Sequence, residues 1–411
     1  MSAFLAAFLL AISSLATTIS PFVEQAFAAG GETLYVNTNS GDDRHTCKVE
    51  VEPCRTIGKA IENANPGDTI VVASGNYEEA LSIDKSVSII GAGQGSTTIK
   101  APASFSNNGD LISISGSSVS VDMSDLSIDG VSSSYASNGA GIHVYGSANA
   151  NLNEVTVDGV RNDPATKKYL YGVLVGSRDS STAGTATITN STVSDYQRGG
   201  IYVSGAGSFA TITNNTVQAG TGLPGLLNGI VVEFGANADI EGNTVKGNWY
   251  PGSNWSGSGI GIWDQATDAT IVKNNTVTDN QVGVGIVTDN PAVLKNLDVS
   301  DVTGNETNAR VDSVYYDSWG YWHWASPDTT YVDSSNTTDD YGVVMVDGHA
   351  VVKGYDLFDN LSDAIDAVKT GGTVELDSNT TVTHQVTVNK SLTLDGNNHT
   401  ITAQAGTYTN G

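Results

Sequence analysis

Two short phrases recur along this chain in fixed alternation, and any fold must give every copy of each an equivalent place. The first is a glycine followed by an apolar, a free and a second apolar residue: Gly141–Val144, Gly172–Val175, Gly200–Val203, Gly229–Val232, Gly259–Ile262 and Gly283–Ile286. Counted from apolar residue to apolar residue, the steps are 31, 28, 29, 30 and 24. The second phrase is an apolar residue, a polar corner rich in asparagine, then threonine–valine: Ile188 to Val193, Ile212 to Val217, Ile240 to Val245 and Ile271 to Val277. Looser copies are Met123 to Ile128 and Leu152 to Val157. These β-branched runs of period two, broken by Asn, Gly, Asp and Ser, have strand and turn chemistry rather than helix chemistry. A unit of this length cannot bury its apolar side chains alone, so successive units must stack and cover one another.

Stacked at the ~4.8 Å spacing of paired strands, like residues form columns along one axis. Ile, Val and Leu at alternate positions fill the interior. Asn215, Asn243 and Asn275 share one register, two places before the valine, where their amides can bond up the axis. A β-propeller blade needs about 40 residues, longer than these steps, and a β-sandwich does not explain the alternation. The expectation is an all-β fold, a right-handed single-stranded parallel β-helix.

The end of a solenoid is a row of unpaired backbone groups and needs a cover. Between Arg55 and Ala64, Ile57, Ala60, Ile61 and Ala64 share one helical face, and Asn65-Pro66-Gly67-Asp68 stops the helix. This reads as an N-terminal cap. The phrase returns at Leu361 to Val368 with a Gly371-Gly372 stop, and each copy is followed by a strand and a Lys-Ser pair, Lys85-Ser86 and Lys390-Ser391. The expected organisation is a leader at 1–28, a β-helix with its cap at 29–307, an aromatic and Asp-rich closing segment and linker at 308–354, and the incomplete start of a second β-helix at 355–411. Too few coils follow Tyr355 to bury their strands, so the chain is expected to be a monomeric module of a longer surface protein.

Residues 1–28 carry an apolar stretch, Phe4 to Ala16, and a small-x-small site, Ala26-Phe27-Ala28, which together read as an export signal; its basic n-region is missing. A retained anchor is the alternative, although the apolar run is short for a span, and no later stretch suits a bilayer. Export implies a secreted or cell-surface location. The two cysteines, Cys47 and Cys54, then favour a disulfide closing a small loop. The other reading, a metal site, has His45 as its one nearby helper. Against 44 Asp and Glu stand 18 Lys and Arg, a formal net charge of −26, which excludes nucleic acid as a partner through phosphate contacts.

The repeated Gly-Ile-x-Val and Asn-Asn-Thr-Val phrases between Ser120 and Asp301 resemble those of the pectin lyase-like right-handed β-helix superfamily, especially its NosD-type and parallel-β-helix-repeat members. The stretch from Tyr35-Val36-Asn37 through Pro53-Cys54-Arg55-Thr56-Ile57 to Gly75-Asn76-Tyr77 is similar to the opening segment of exported members. The resemblance implies the fold, and the superfamily holds both carbohydrate-active enzymes and surface proteins without known activity. The polygalacturonase pattern of Asn-Thr-Asp, Asp-Asp, His-Gly and Arg-x-Lys is missing: His143 precedes Val, His349 precedes Ala, and no Arg-x-Lys occurs. The basic residues of the coils form no recognisable lyase signature.

Function is therefore expected to be binding of a polysaccharide or cell-surface glycan, with a polysaccharide lyase or glycoside hydrolase as the alternative. Side chains between the inward apolar positions point outward. One outward column is His143, Leu174, Tyr202, Val231, Gly261 and Gly285; its neighbour is Tyr145, Gly176, Ser204, Glu233, Trp263 and Val287. Tyr202, Glu233, Trp263 and Asp264, with Trp249, Tyr250 and Trp255 on the preceding loop, are the candidate ligand-binding residues, because a flat ring covers the apolar face of a sugar while carboxylates accept its hydroxyl protons. Glu233 and Asp264 are the one carboxylate pair nominated for glycoside chemistry. The alternative for these aromatics is plain packing over strand edges. The run Tyr315 to Trp324 is expected to plug the open end of the first solenoid, or else to serve as a glycan platform. No cofactor is expected; calcium at the Asp122 to Asp129 turns is considered, but no Asp-x-Asp-x-Asp-Gly loop is present.

Overall fold

In the computed structural model each repeat becomes one coil of a parallel β-helix. The structure describes residues 31–104, 109–132, 135, 138–162, 169–177, 181–252, 255–263, 270–287, 297–299, 301–313, 315–316, 322–323, 329–333, 343–346, 349–352 and 357–404. The Gly-x phrases form a front sheet of nine parallel strands running from Leu81–Ile83 to Thr307–Ser313. A 15-stranded parallel sheet forms the other faces. In it, rear strands such as Phe209–Thr213 and Asn237–Glu241 lead through a sharp corner into short side strands such as Thr216–Gln218 and Thr244–Lys246. Parallel connections of this kind are right-handed.

The interior is a set of columns. Ile142, Val173, Ile201, Ile230, Ile260 and Val284 pair in unbroken register and are fully buried. Each is worth roughly 1.5–3 kcal/mol of burial. The stack runs on to Ser313, past the expected boundary at 307, because Thr307–Ser313 adds a further rung beside Val282–Val287.

The expected asparagine ladder is present at the corner between rear and side strands. Asn215 donates from its backbone N–H and from Nδ2 to Asn243 Oδ1 at 2.9 and 3.0 Å, and Asn243 donates likewise to Asn275 Oδ1 at 2.9 and 2.9 Å. Ser191 begins the ladder, its N–H donating to Asn215 Oδ1 at 2.9 Å. The residue before each rung, Asn190, Asn214, Gly242 or Asn274, has φ between 51 and 68°. That left-handed turn suits Asn and Gly and explains the doubled asparagines.

A second ladder, which the sequence reading missed, stands at the corner after the side strands. Asn248 donates from N–H and Nδ2 to Asn280 Oδ1 at 3.0 and 2.8 Å, and Asn280 to Asn305 Oδ1 at 2.9 and 2.9 Å. Each rung again follows a left-handed residue: Gly247, Asp279 or Gly304. Tyr196 tops the column, its hydroxyl donating to Asn248 Oδ1 at 2.7 Å.

The N-terminal cap is helix α1, Ile57–Asn63, with Ile57, Ala60 and Ile61 buried. Thr56 caps it by accepting the Lys59 N–H, and Glu79 accepts the Ile57 and Gly58 N–H groups at 2.8 Å each. Cys47 and Cys54 form the disulfide, buried beside the first strand, Thr33–Val36. A loop this short contributes about 2–3 kcal/mol in the chain-entropy account.

The second unit reaches back further than Tyr355. Thr329–Val332 pairs with Thr373–Leu376 as Thr33–Val36 pairs with Asp68–Val72, Thr329 opposite Thr373 and Thr33 opposite Thr69. Val332 lies in a core with Leu361, Ala364 and Ile365 of helix α2, Leu361–Ala367, and with Val368, Val374 and Leu376. The Lys-Ser pairs do the same work in both units. Lys85 Nζ donates to the Glu62 and Ala64 carbonyls at the end of α1, and Lys390 Nζ to those of Asp366 and Val368 at the end of α2. Gly67 and Gly371 donate their N–H groups to the carbonyls of Ser86 and Ser391.

Among the described residues no helix is long and apolar enough to cross a membrane. The 1–28 leader lies outside the described residues, as does most of the Tyr315 to Trp324 run, of which Tyr315–Tyr316 and Trp322–His323 pair antiparallel. The stretch considered for calcium runs within one long strand, Ser120–Val131.

Two outcomes follow. Asn243→Ala leaves the Asn215 N–H and the Ile212 carbonyl buried without partners, and should destabilise the first solenoid by about 3 kcal/mol or more in denaturant unfolding. Burial pushes the Glu79 carboxyl up from its ordinary value, against the pull of the two helix N–H donors. A raised folded value means that ionisation costs more in the fold than in the open chain. Glu79's contribution is therefore greatest below the ordinary glutamate value of about 4.3 and is lost as pH rises through the higher folded value. The Tm of the wild type relative to Glu79→Gln should accordingly fall across that window, the other carboxylates cancelling in the difference.

Candidate functional site

The outward columns have the expected register: Leu174 lies opposite His143 and Tyr202, Tyr202 opposite Val231, and Ser204 opposite Glu233. Their exposure differs from the expectation. Leu174, Tyr202 and Val231 form a buried apolar cluster on the outer side of the front sheet with Ala140 and Tyr171, and half-buried Trp263 packs against it. The Tyr171 and Tyr202 rings lie 4.6 Å apart, and Trp263 stands edge-on to Tyr202 at 6.4 Å. The Asn228 amide donates to the Tyr202 hydroxyl at 3.0 Å. Glu233 is only 1% exposed and accepts from the Ser204 hydroxyl at 3.1 Å. Tyr202 and Glu233 are thus structural here and lie on no open surface, because period two says which way a side chain leaves a sheet and not whether another layer lies over it. Asp264 lies outside the described residues.

His143, at the head of the column, bridges coils instead of facing solvent. Nδ1 lies 2.7 Å from Asp110 Oδ2 and Nε2 lies 2.9 Å from the Gly176 carbonyl, with the Tyr145 ring at 4.5 Å.

An open concavity lies instead at the edge where side strands return to the front sheet. It has a volume of about 360 Å3 and is lined by Tyr169, Arg198, Pro224, Gly225, Leu226, Tyr250 and Trp255. These residues come from the return side of four successive coils, and the long loops 219–227 and 247–257 contribute five of them. The longer loop is pinned from within, since Gln281 Oε1 accepts the N–H groups of Tyr250 and Gly257 at 3.1 and 2.9 Å. Trp249 Nε1 donates to the Asp279 carbonyl at 3.0 Å, so this ring braces the loop. The shorter loop presses close to the solenoid: a Cβ at Gly225 would sit 2.7 Å from the Gln197 carbonyl oxygen. Trp255 is 69% exposed and Tyr250 half-buried, and both line the concavity, which Trp249, Glu233 and Trp263 do not.

Arg198 gives the concavity its charge. Its guanidinium carbon lies 5.3 Å from the centre of the Tyr169 ring, and Nη1 donates to the Leu226 carbonyl at 3.1 Å. Among the described residues no carboxylate pairs with it, and its buried Nε has no hydrogen-bond partner. Three other cations of the coils do have carboxylate partners, Lys100 with Asp129, Arg161 with Asp195 and Lys273 with Glu241. In so acidic a protein, an arginine fixed by a ring and a carbonyl in an open concavity retains donors for a ligand. The sequence signal for it was slight, a lone Arg before Gly199 in one coil.

A family description, the right-handed β-helix region, matches residues 71–252 and, overlapping, 140–402. No curated protein matches. Among solved structures, the pectate lyase Pel9A is similar over 69% of this chain and 75% of its own, at 12% identity and a TM-score of 0.39. An alginate lyase from Paenibacillus sp. str. FPU-7 is similar over 91% and 98%, at 14% identity and a TM-score of 0.32. The catalytic domain of a GH87 α-1,3-glucanase is similar over 86% and 67%, at 13% identity and a TM-score of 0.31. These are likenesses of fold alone.

Because Tyr202 is fully buried and its hydroxyl accepts from Asn228, Tyr202→Phe should lower stability by about 1 kcal/mol through the lost bond. Denaturant unfolding of the wild type and the variant checks this.

Proposed function

The chain belongs to the right-handed β-helix family, and from that premise we propose that it is an exported, non-catalytic glycan-binding protein whose ligand lies in the concavity around Arg198. The observation that carries this reading is the meeting of the Tyr250 and Trp255 rings with the Arg198 guanidinium in one open concavity. Such rings cover the apolar face of a pyranose, and the arginine donates to sugar hydroxyl, ring or carboxylate oxygens. Because the lining comes from four successive coils, the site extends roughly 14 Å along the axis at ~4.8 Å per rung, which suits a short run of linked sugars better than one monosaccharide. Among the described residues, no carboxylate lines this concavity, whereas glycoside hydrolysis needs two. Glu233 is buried and hydrogen-bonded on the front sheet. The signal-like sequence of residues 1–28 and the Cys47–Cys54 disulfide support an exported setting.

A glycan array followed by calorimetry tests the reading. Trp255→Ala and Arg198→Lys should each weaken binding of the selected oligosaccharide at least tenfold, about 1.4 kcal/mol, with Tm unchanged. Absence of any bound glycan, or affinity indifferent to both changes, overturns it. So does release of oligosaccharides from a polysaccharide at many turnovers per molecule, which would favour a carbohydrate-active enzyme.

A further inference from the structure

A glutamine recurs at one place in the coil, and each time it stands against a long return loop of the coil before it. Gln197 and Gln281 both lie four residues after the side-strand valine, in Thr192-Val193-Ser194-Asp195-Tyr196-Gln197 and Thr276-Val277-Thr278-Asp279-Asn280-Gln281, and the aspartate of each phrase is left-handed. Each donates its backbone N–H to the preceding coil, Gln197 to the Val160 carbonyl and Gln281 to that of Asn248. Each also turns its amide oxygen to an N–H at the start of that coil's return loop: Gln197 Oε1 accepts from Asn162 at 2.8 Å, and Gln281 Oε1 from Tyr250 at 3.1 Å. Asn162 and Tyr250 are equivalent, five residues after Val157 and Val245. The two loops so held supply rings of the concavity, one leading into Tyr169 and the other carrying Tyr250 and Trp255. Beside the 219–227 loop the equivalent position is Trp249, whose carbonyl takes the Leu227 N–H.

Gln281 does more than its counterpart. Its Oε1 also takes the N–H of Gly257 at 2.9 Å, so one atom with two lone pairs joins both ends of the loop across residues 251–256. The Val282 N–H donates to the Gly257 carbonyl at 2.9 Å beside it. The neck so closed is tight, since a Cβ at Gly257 would sit 2.6 Å from the Leu227 carbonyl oxygen and 2.7 Å from the Trp249 nitrogen. Gln281 itself does not line the concavity. We propose that Gln281 is a positioning residue of the ligand site, a latch that closes the neck of the 247–257 loop and so holds Tyr250 and Trp255 beside Arg198 before any ligand arrives. The inference rests on the glycan-binding reading of the concavity. Ordering a loop at the moment of binding costs affinity, and a neck closed in advance removes that cost.

Amide hydrogen exchange and calorimetry on the full chain test this, with the oligosaccharide selected on the array as the probe. Gln281→Met keeps the length of the side chain and removes the acceptor. It should speed exchange of the Tyr250 and Gly257 amides roughly tenfold or more, while strand Ser258–Trp263 stays as protected as in the wild type. It should also weaken binding about fivefold or more. Gln281→Glu, which keeps acceptor oxygens, should bring exchange and affinity back to within about twofold of the wild type. In a Trp255→Ala background the effect of Gln281→Met on affinity should shrink, as it must for a residue that acts through that ring. A wild-type chain that binds no glycan overturns the glycan reading and this role with it. A chain that binds, but whose affinity ignores Gln281→Met, is not rescued by Gln281→Glu, or responds just as strongly without the Trp255 ring, overturns the positioning role alone.

Discussion

In the corner columns of this molecule a buried asparagine side chain is satisfied chiefly by an identical one in the neighbouring coil. The Asn215–Asn243–Asn275 column shows the constraint: each amide satisfies the backbone N–H and side chain of its neighbour and also the carbonyl of the coil behind, as Asn243 Nδ2 does with Ile212 at 2.8 Å. An apolar column can tolerate a one-rung misfit at the cost of packing. An amide column cannot, because each displaced rung strands buried donors and acceptors. Register throughout the solenoid, and with it the location of every outward side chain, depends on these corners.

That dependence explains what could be read from residues alone. The alternation of Gly-x strands with Asn corners announced a stacked, parallel, single-chain architecture. The pairing of Tyr202 with Val231 and of Ser204 with Glu233 was legible down to the residue, because stacking like on like leaves no other register. The second ladder was equally written, as Gly247-Asn248, Asp279-Asn280 and Gly304-Asn305, each asparagine three places after a side-strand valine. It was overlooked because its first coils replace asparagine with Val160 and Tyr196, which hides the period.

The site was less legible, for a different reason. Periodicity resolves direction relative to a sheet, and the outer cluster of Leu174, Tyr202 and Val231 is a matter of what lies above the sheet. Trp255, Tyr250 and Arg198 meet because loops of different lengths from separate coils converge on one edge. Nothing in the local pattern of any single coil encodes that convergence. Arg198 in particular is defined by a missing neighbour, the carboxylate that accompanies Lys100, Arg161 and Lys273 elsewhere in the coils.

The corner that carries the first ladder always spans two residues: 190–191, 214–215, 242–243 and 274–275. The return segment at the other edge varies freely, from the tight 279–281 to the long 247–257. The corner from front to rear strands varies as well, from 234–236 to 177–184, so the solenoid has one seam of fixed length and two that absorb insertions without disturbing a rung. Change in length is kept out of the ladder corner and channelled to the other two, one of which holds the concavity. On such a frame whole loops can be added at either of those margins while the coils stay in register, so a new recognition surface needs no change in the core.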